Sequence, residues 1–283
     1  MANTINTQVI VPEVYASLVR EKIAGKVKVA QFLVNLGDLH GKVGETLTMP
    51  KWAYIGDGKD WNINTPMDVT QMKQTSTKAT IKAIQAPAVK VADYDNEVEL
   101  GNAIEEASSQ QALSIARKYD TDAIACALES PLKYQLATKN TVTQDELIAI
   151  LGLYGDDRDS ADFDAIVVHS SFAPSFYKMD MFVKRDLTMT ADGNGIAVNS
   201  QIGTFLNIPV VLSDRLYDAT NQEGFILVMK KNAISIIPKE NPFAEASRDA
   251  SLRQTTIYLS QFYAMALTDD EAIVFAKTVL PSV

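Results

Sequence analysis

Residues 101–130, GNAIEEASSQQALSIARKYDTDAIACALES, decide how the chain is read. Ile104, Ala107, Gln111, Ala112, Ile115, Ala116, Tyr119, Ala123 and Cys126 recur at steps of three and four, which places them on one face of an α-helix. A helix of about 26 residues at 1.5 Å per residue would run about 40 Å. Its stripe is rich in Ala and Ser, so a sheet or another backbone can approach it closely. Glu105, Glu106, Arg117, Lys118, Asp120 and Asp122 fall mostly off that stripe. Asn102 is placed to cap the first turn, the two glutamates suit the positive end of the helix dipole, and Pro131 stops the run. Alone, this is an ordinary long core helix. The unlike segments on either side of it say more.

Upstream, residues 41–90 read as two strands around an irregular tip at 56–67. The return strand alternates Thr75, Thr77, Ala79, Ile81 and Ala83 against Ser76, Lys78, Thr80 and Lys82, a period of two. Its apolar residues are sparse and small, and such a hairpin is marginal alone in water. Both tryptophans of the chain, Trp52 and Trp61, lie here with Tyr54, Ile55 and Ile63. Aromatic residues on a projecting loop are typical anchors of protein–protein contact, so these five are the candidate subunit-interface residues. The alternative is a hairpin that folds back and buries both tryptophans in its own core. Before it, residues 1–11 are polar and then β-rich. Pro12 opens a short amphipathic helix through Val14, Tyr15, Leu18, Val19 and Ile23, which Gly25 ends. This stretch has too few apolar residues for a core of its own, so it is an arm laid over the body or over a neighbour.

Downstream, Thr143 and Glu146 form a capping-box pair ahead of Leu147, Ile148, Ile150, Leu151 and Tyr154. Residues 163–169, 208–213, 225–230 and 233–238 read as strands, with a short helix near 173–179 and a Gly193-Asn194-Gly195 turn between them. Strands and helices alternate, so residues from about 140 to 240 form an α+β unit. Two further strands, 251–267 and 271–279, are turned at 268–270 and expected to pair antiparallel. With residues near 90–93 they would offer the sheet on which the long helix packs.

Across 283 residues, 26 Lys and Arg face 35 Asp and Glu, for a net charge of −9. Binding to a phosphate backbone over a broad face is driven by Lys and Arg displacing counterions, so tight nucleic-acid binding is not expected. The single cysteine, Cys126, excludes an intrachain disulfide and reads as a buried thiol. No apolar run approaches the roughly 18 residues that span a membrane, and no basic leader precedes an apolar core, so the chain reads as cytoplasmic when made. The two histidines, His40 and His169, have no metal-ligand spacing. VVHSSFA lacks the glycines that a nucleophile elbow needs, and no phosphate-binding glycine loop is present. Asp156, Asp157, Asp159 and Asp162 are dense, but a calcium loop counted from Asp157 lacks glycine at its sixth position and ends on Val168, so this is a solvated acidic loop. Asp93, Asp95 and Glu97 suit a turn and a helix start. No catalytic residue, cofactor or metal is proposed, which favours a structural role.

The order of arm, two-stranded loop, long helix, α+β unit and closing strands resembles that of tailed-bacteriophage major capsid proteins with the Hong Kong 97-type fold. VPEVYASLVREKIAGKVKVAQFLVNLGDL resembles the arm of the Gram-positive phage coat proteins, and GETLTMPKWAYIGDG the start of the family's extended loop. IGTFLNIPVVLSD and YLSQFYAMALTDDEAIVFA resemble its later strands. The resemblance covers nearly the whole chain. It implies an α+β fold with an N-terminal arm at 1–40 and an extended loop at 41–85. A peripheral domain would comprise 86–139 and 240–283, with its spine helix at 101–130, and an axial domain 140–239. It further implies self-assembly through hexamers and pentamers into an icosahedral shell enclosing double-stranded DNA without sequence-specific binding. The partners would be the chain itself and a portal; Met1 is followed almost directly by the arm, which implies a separate scaffolding protein, or none. The location would be the virion, and the host cytoplasm during assembly. Some family members crosslink a lysine to an asparagine through the extended loop. Lys42, Lys51 and Lys59 lie there, but no context names their partner. Three other readings are a nanocompartment shell of the same fold, a soluble α+β enzyme, and a tail or baseplate protein.

Overall fold

The computed structural model describes residues 12–37, 44–52, 74–94, 103–183, 201–239 and 242–279, with six isolated positions between 58 and 72. Helix α1 (Pro12–Ala24) is followed by strands β1 (Val34–Asn35), β2 (Thr46–Trp52), β3 (Gln74–Thr80) and β4 (Lys82–Ala92), then the long helix α2 (Ala103–Ala127). Strand β5 (Lys133–Gln135), helix α3 (Gln144–Gly152), β6 (Phe163–Val168) and the short helices α4 (Ala173–Phe176) and α5 (Asp180–Val183) follow. Strands β7 (Gln201–Phe205), β8 (Ile208–Leu212), β9 (Tyr217–Asp218), β10 (Glu223–Gly224), β11 (Ile226–Lys230), β12 (Ile234–Pro238), β13 (Phe243–Asp249), β14 (Gln254–Leu267) and β15 (Ile273–Lys277) complete the chain.

Two sheets carry the architecture. In the first, β4 pairs along one edge of β14, from Gln254 opposite Ala92 to Tyr263 opposite Lys82. On the other edge of β14, β13 takes the first half and β12 the second, and β1 extends β12 in parallel. The second sheet runs β5-β15-β11-β6-β8-β7. Helix α2 covers the first sheet. Eight of its nine stripe residues are under 10% exposed, from Ala107 to Cys126. Close approach is possible because the stripe is largely alanine, and each large side chain it covers on the sheet gains about 1.5–3 kcal/mol on burial. Ile257 and Leu259 of β14 face the helix and are buried. Gln111 closes the irregularity where the β14–β4 register shifts between Ile257 and Leu259. Its Nε2 donates to Pro87 O at 3.0 Å and Ile257 O at 3.2 Å, and its Oε1 accepts from Tyr15 Oη at 2.7 Å.

Three expectations change. The strands around 268–270 do not pair with each other: β15 leaves the first sheet and lies between β11 and β5 in the second. The reason is two-sided burial. Ile273 and Phe275 join the core shared with α2, while Val274 and Ala276 join the core under α3, so β15 belongs to a sheet covered on both faces. Ile148, counted on the apolar side of α3, is 40% exposed; Leu147, Ile150 and Leu151 fill that core without it. Asp120 and Asp122, set apart from the stripe, are both buried, because α2 is covered on two sides, by the N-terminal segment and by the sheet. The capping box is as read: Glu146 N donates to Thr143 Oγ1, and Thr143 N donates to Glu146 Oε2 at 2.7 Å.

Candidate functional site

Strands β2 and β3 pair only with each other among the described residues, in register from Thr46 opposite Thr80 to Trp52 opposite Gln74. Seven residues at about 3.4 Å each make this hairpin about 24 Å long. Among the described residues, its contacts with the body lie at its base. Gly44 N donates to Ile81 O and Ile81 N to Glu45 O, both at 3.0 Å. Ala79 and Ile81, each 2% exposed, pack with Ile237, Ala264 and Ala266. Further out, Ser76, Lys78 and Thr48 are exposed. Of the five candidate interface residues, Trp52 ends β2, and its side chain lies outside the described residues, as do Tyr54, Ile55, Trp61 and Ile63 entirely. His40, Lys42, Lys59, Asn102 and the 193–195 turn also lie outside them.

Beside α2, on the side of β4, runs an open groove of about 780 Å³. Ala83, Gln85, Pro87 and Val89 form one wall, and Gln110, Ser114, Arg117, Lys118 and Thr121 the other, with Arg215 reaching in from the loop after β8. Three cations line it and no carboxylate does. In a chain of net charge −9 that is a local inversion of sign. This surface is only partly marked in the sequence. Arg117 and Lys118 are adjacent and off the stripe, which is a local signal, but Arg215 is about a hundred residues away and nothing near it announces the meeting.

Two buried aspartates hold α2 to its neighbours. Asp120 Oδ1 accepts from Val29 N and Ala30 N, both at 2.9 Å, and Lys28 N reaches its two oxygens at 3.2 Å. This fixes the N-terminal segment on the chain's own body, with Tyr15, Val19, Ile23 and Val29 in the core. Burial pushes the Asp120 carboxyl above its usual range, against the pull of those N–H groups. Asp122 accepts from Tyr263 Oη and pairs with Lys118 Nζ at 2.9 Å and Lys82 Nζ at 3.7 Å. Burial acts to raise it, but the Tyr263 hydroxyl and the two lysines outweigh that and hold it below the usual range.

His169 and Ser171 are joined by local hydrogen bonds. Ser171 N donates to His169 Nδ1 at 3.2 Å, which makes the imidazole the cap of the turn at 170–172. Ser171 Oγ lies 2.8 Å from the same nitrogen and donates to Asn140 Oδ1 at 3.2 Å, so it is held within a loop-packing network. Burial lowers the imidazole pKa, with Asp214 acting the other way. In the acidic loop, Asp157 lies 3.7 Å from Lys230 Nζ, whose ammonium sits 4.8 Å from the centre of the Tyr154 ring. No cluster of three His, Cys, Asp or Glu suited to a metal is found among the described residues.

No protein-family model matches the chain. A curated relative, the major capsid protein of Staphylococcus phage phiMR11, is 26% identical over 269 residues, covering 94% of this chain and 92% of the relative. Among solved structures, the capsid of cyanophage P-SCSP1u aligns with a TM-score of 0.63 at 14% identity, over 98% of this chain and 92% of that one. The mature capsid of bacteriophage PhiM1 aligns at 0.61 and 12% identity, over 99% and 92%. The virus-like particle from Pyrococcus furiosus aligns at 0.56 and 10% identity, over 93% and 98%.

Proposed function

We propose that this chain, which has the Hong Kong 97-type capsid fold and resembles a phage major capsid protein, assembles through hexamers and pentamers into an icosahedral shell around double-stranded DNA. The observation that carries the reading is the β2–β3 hairpin, a self-paired ribbon whose contacts with the body, among the described residues, lie at its base. A ribbon with so little apolar surface gains order from a second surface. The cationic groove beside α2 is the complementary one. Residues 56–67 at the loop tip hold Asp57 and Asp60 against Lys59, two acids to one base. We assign the groove of one copy to the loop tip of the next, with Trp52, Tyr54, Ile55, Trp61 and Ile63 as apolar anchors of that contact. Electrostatic complementarity of this kind steers encounter and register.

On this reading, 1–40 is the arm, 41–85 the extended loop, 86–139 with 240–283 the peripheral domain, and 140–239 the axial domain. The chain acts structurally and not as an enzyme, with a separate scaffolding protein and a portal as partners. It works in the virion after assembly in the host cytoplasm. Its acidity keeps it from adhering to DNA during packing.

Light scattering on purified protein, with negative-stain images of the same fractions, tests the proposal. Closed shells, or rings of five or six, are expected. A small oligomer unchanged by concentration and crowding agents refutes it. Arg117→Glu with Arg215→Glu lowers shell yield, and Asp57→Lys with Asp60→Lys in the same chain restores it. Yield indifferent to both changes removes the groove from the contact. Nuclease-resistant DNA in particles made during infection separates a genome shell from a compartment for protein cargo.

A further inference from the structure

Ile81 and Lys82, at the junction of β3 and β4, lie on opposite faces of the chain, because successive residues of an extended backbone alternate. Ile81 enters the small apolar cluster with Ala264 and Ala266, on the face of β14 turned away from the long helix. Lys82, opposite Tyr263 in register, turns toward that helix, and its Nζ lies 3.7 Å from the buried Asp122. Beyond this point β3 has no ladder with β14 and, among the described residues, pairs with β2, although Ala79 still packs on Ala264 and Ala266. No ladder hydrogen bond to β14 therefore fixes the direction of the hairpin; Ile81, with Ala79 beside it, grips one face of β14, and Lys82 is the residue of this junction that holds the other.

We infer that Ile81 and Lys82 act as a two-sided pin that sets the angle at which the β2–β3 hairpin leaves the body. Either contact alone leaves rotation toward the other face unopposed. The lever is long: Ser76, five residues out, stands about 17 Å from Ile81, so a swing of about 10° moves it about 3 Å. In an assembled shell that angle is the angle between neighbouring copies. Only this last consequence rests on the shell-building reading.

The pin is tested on the free subunit. Spin labels at Ser76→Cys and Ala125→Cys, both exposed positions, report hairpin against helix in a Cys126→Ala background. Pulsed electron resonance of the otherwise unaltered chain should give one narrow distance peak. Ile81→Ala or Lys82→Met should shift or broaden it by about 3 Å, while Ile81→Val and Lys82→Arg should retain the narrow peak. A broad distribution in the starting protein, or variants that superimpose on it, overturns the inference. If Ile81→Ala does not fold, Lys82→Met decides, because its side chain is about half exposed and its loss creates no cavity. Particles from the pin variants should vary in size. If the unaltered chain forms no shells even when co-expressed with its scaffolding protein, the shell reading fails, while the pin stands or falls on the distances.

Discussion

Asp120→Ala should release the N-terminal segment from the long helix. Three successive backbone donors, Lys28 N, Val29 N and Ala30 N, converge on this one carboxylate. Val29 is fully buried, so its orphaned N–H costs about 1–3 kcal/mol; the other two sit nearer solvent and cost less. The total is about 3–5 kcal/mol. Asp120→Asn keeps an oxygen for Val29 and Ala30 and loses the Oδ2 bond from Lys28, so about 1–2 kcal/mol is expected. Denaturant unfolding gives the magnitudes, and limited trypsin cleavage after Lys26 and Lys28 gives the location. The pH dependence has a definite sign. Burial raises the Asp120 carboxyl above 3.8, so the folded chain holds this proton more tightly than the unfolded one. Its contribution is most favourable below pH 3.8 and declines as pH rises through the folded-state value. The stability of the parent relative to Asp120→Asn therefore falls over that interval. Alanine and asparagine variants of equal stability, or unchanged cleavage in both, would refute the anchoring argument.

Lys277 pairs with Asp218 and lies 3.7 Å from the fully buried Glu223. Lys277→Met should cost about 2–4 kcal/mol at neutral pH, by leaving a buried carboxylate unpaired. Lys277 is the main cause that holds Asp218 below 3.8, so that stability is present above pH 3.8 and lost as pH falls below it; the variant's acid unfolding, followed by circular dichroism, should be flatter there. Tyr154→Phe removes a hydroxyl that donates to Val228 O at 2.8 Å and accepts from Val274 N at 3.1 Å, and should lower stability to denaturant by about 1–3 kcal/mol. Gly224→Ala places a methyl 2.7 Å from His169 Cβ and 2.9 Å from Ser171 Oγ, and should cost about 1–3 kcal/mol in the same assay.

The parts of the fold legible in the sequence are those fixed by local periodicity. The stripe from Ala107 to Cys126, the capping box at Thr143 and Glu146, and the alternation that buries Ala79 and Ile81 all follow from repeats within a few residues. The placement of β15 was not legible. Adjacent strands usually pair, and only the burial of all four residues from Ile273 to Ala276 marks a strand sandwiched between two cores. Asp120 lies off the apolar stripe, where a charge is normally solvated; its partners are backbone N–H groups about ninety residues away, which carry no side-chain signature. The groove is the same case. Arg215 meets Arg117 only through tertiary structure, whereas the aromatic candidates of the loop could be named from composition alone.

The position of β15 also has a consequence in time. Its neighbour β5 pairs Lys133 with Phe275, in parallel, so the second sheet has a gap between β5 and β11 until residues 273–277 have been synthesised. At roughly 5–20 residues per second, a ribosome takes on the order of ten seconds to cover that interval. Contacts so distant in sequence also form slowly once available. A nascent chain therefore remains incomplete while its long helix is already made, and a newly made copy can close its second sheet only after translation has passed residues 273–277.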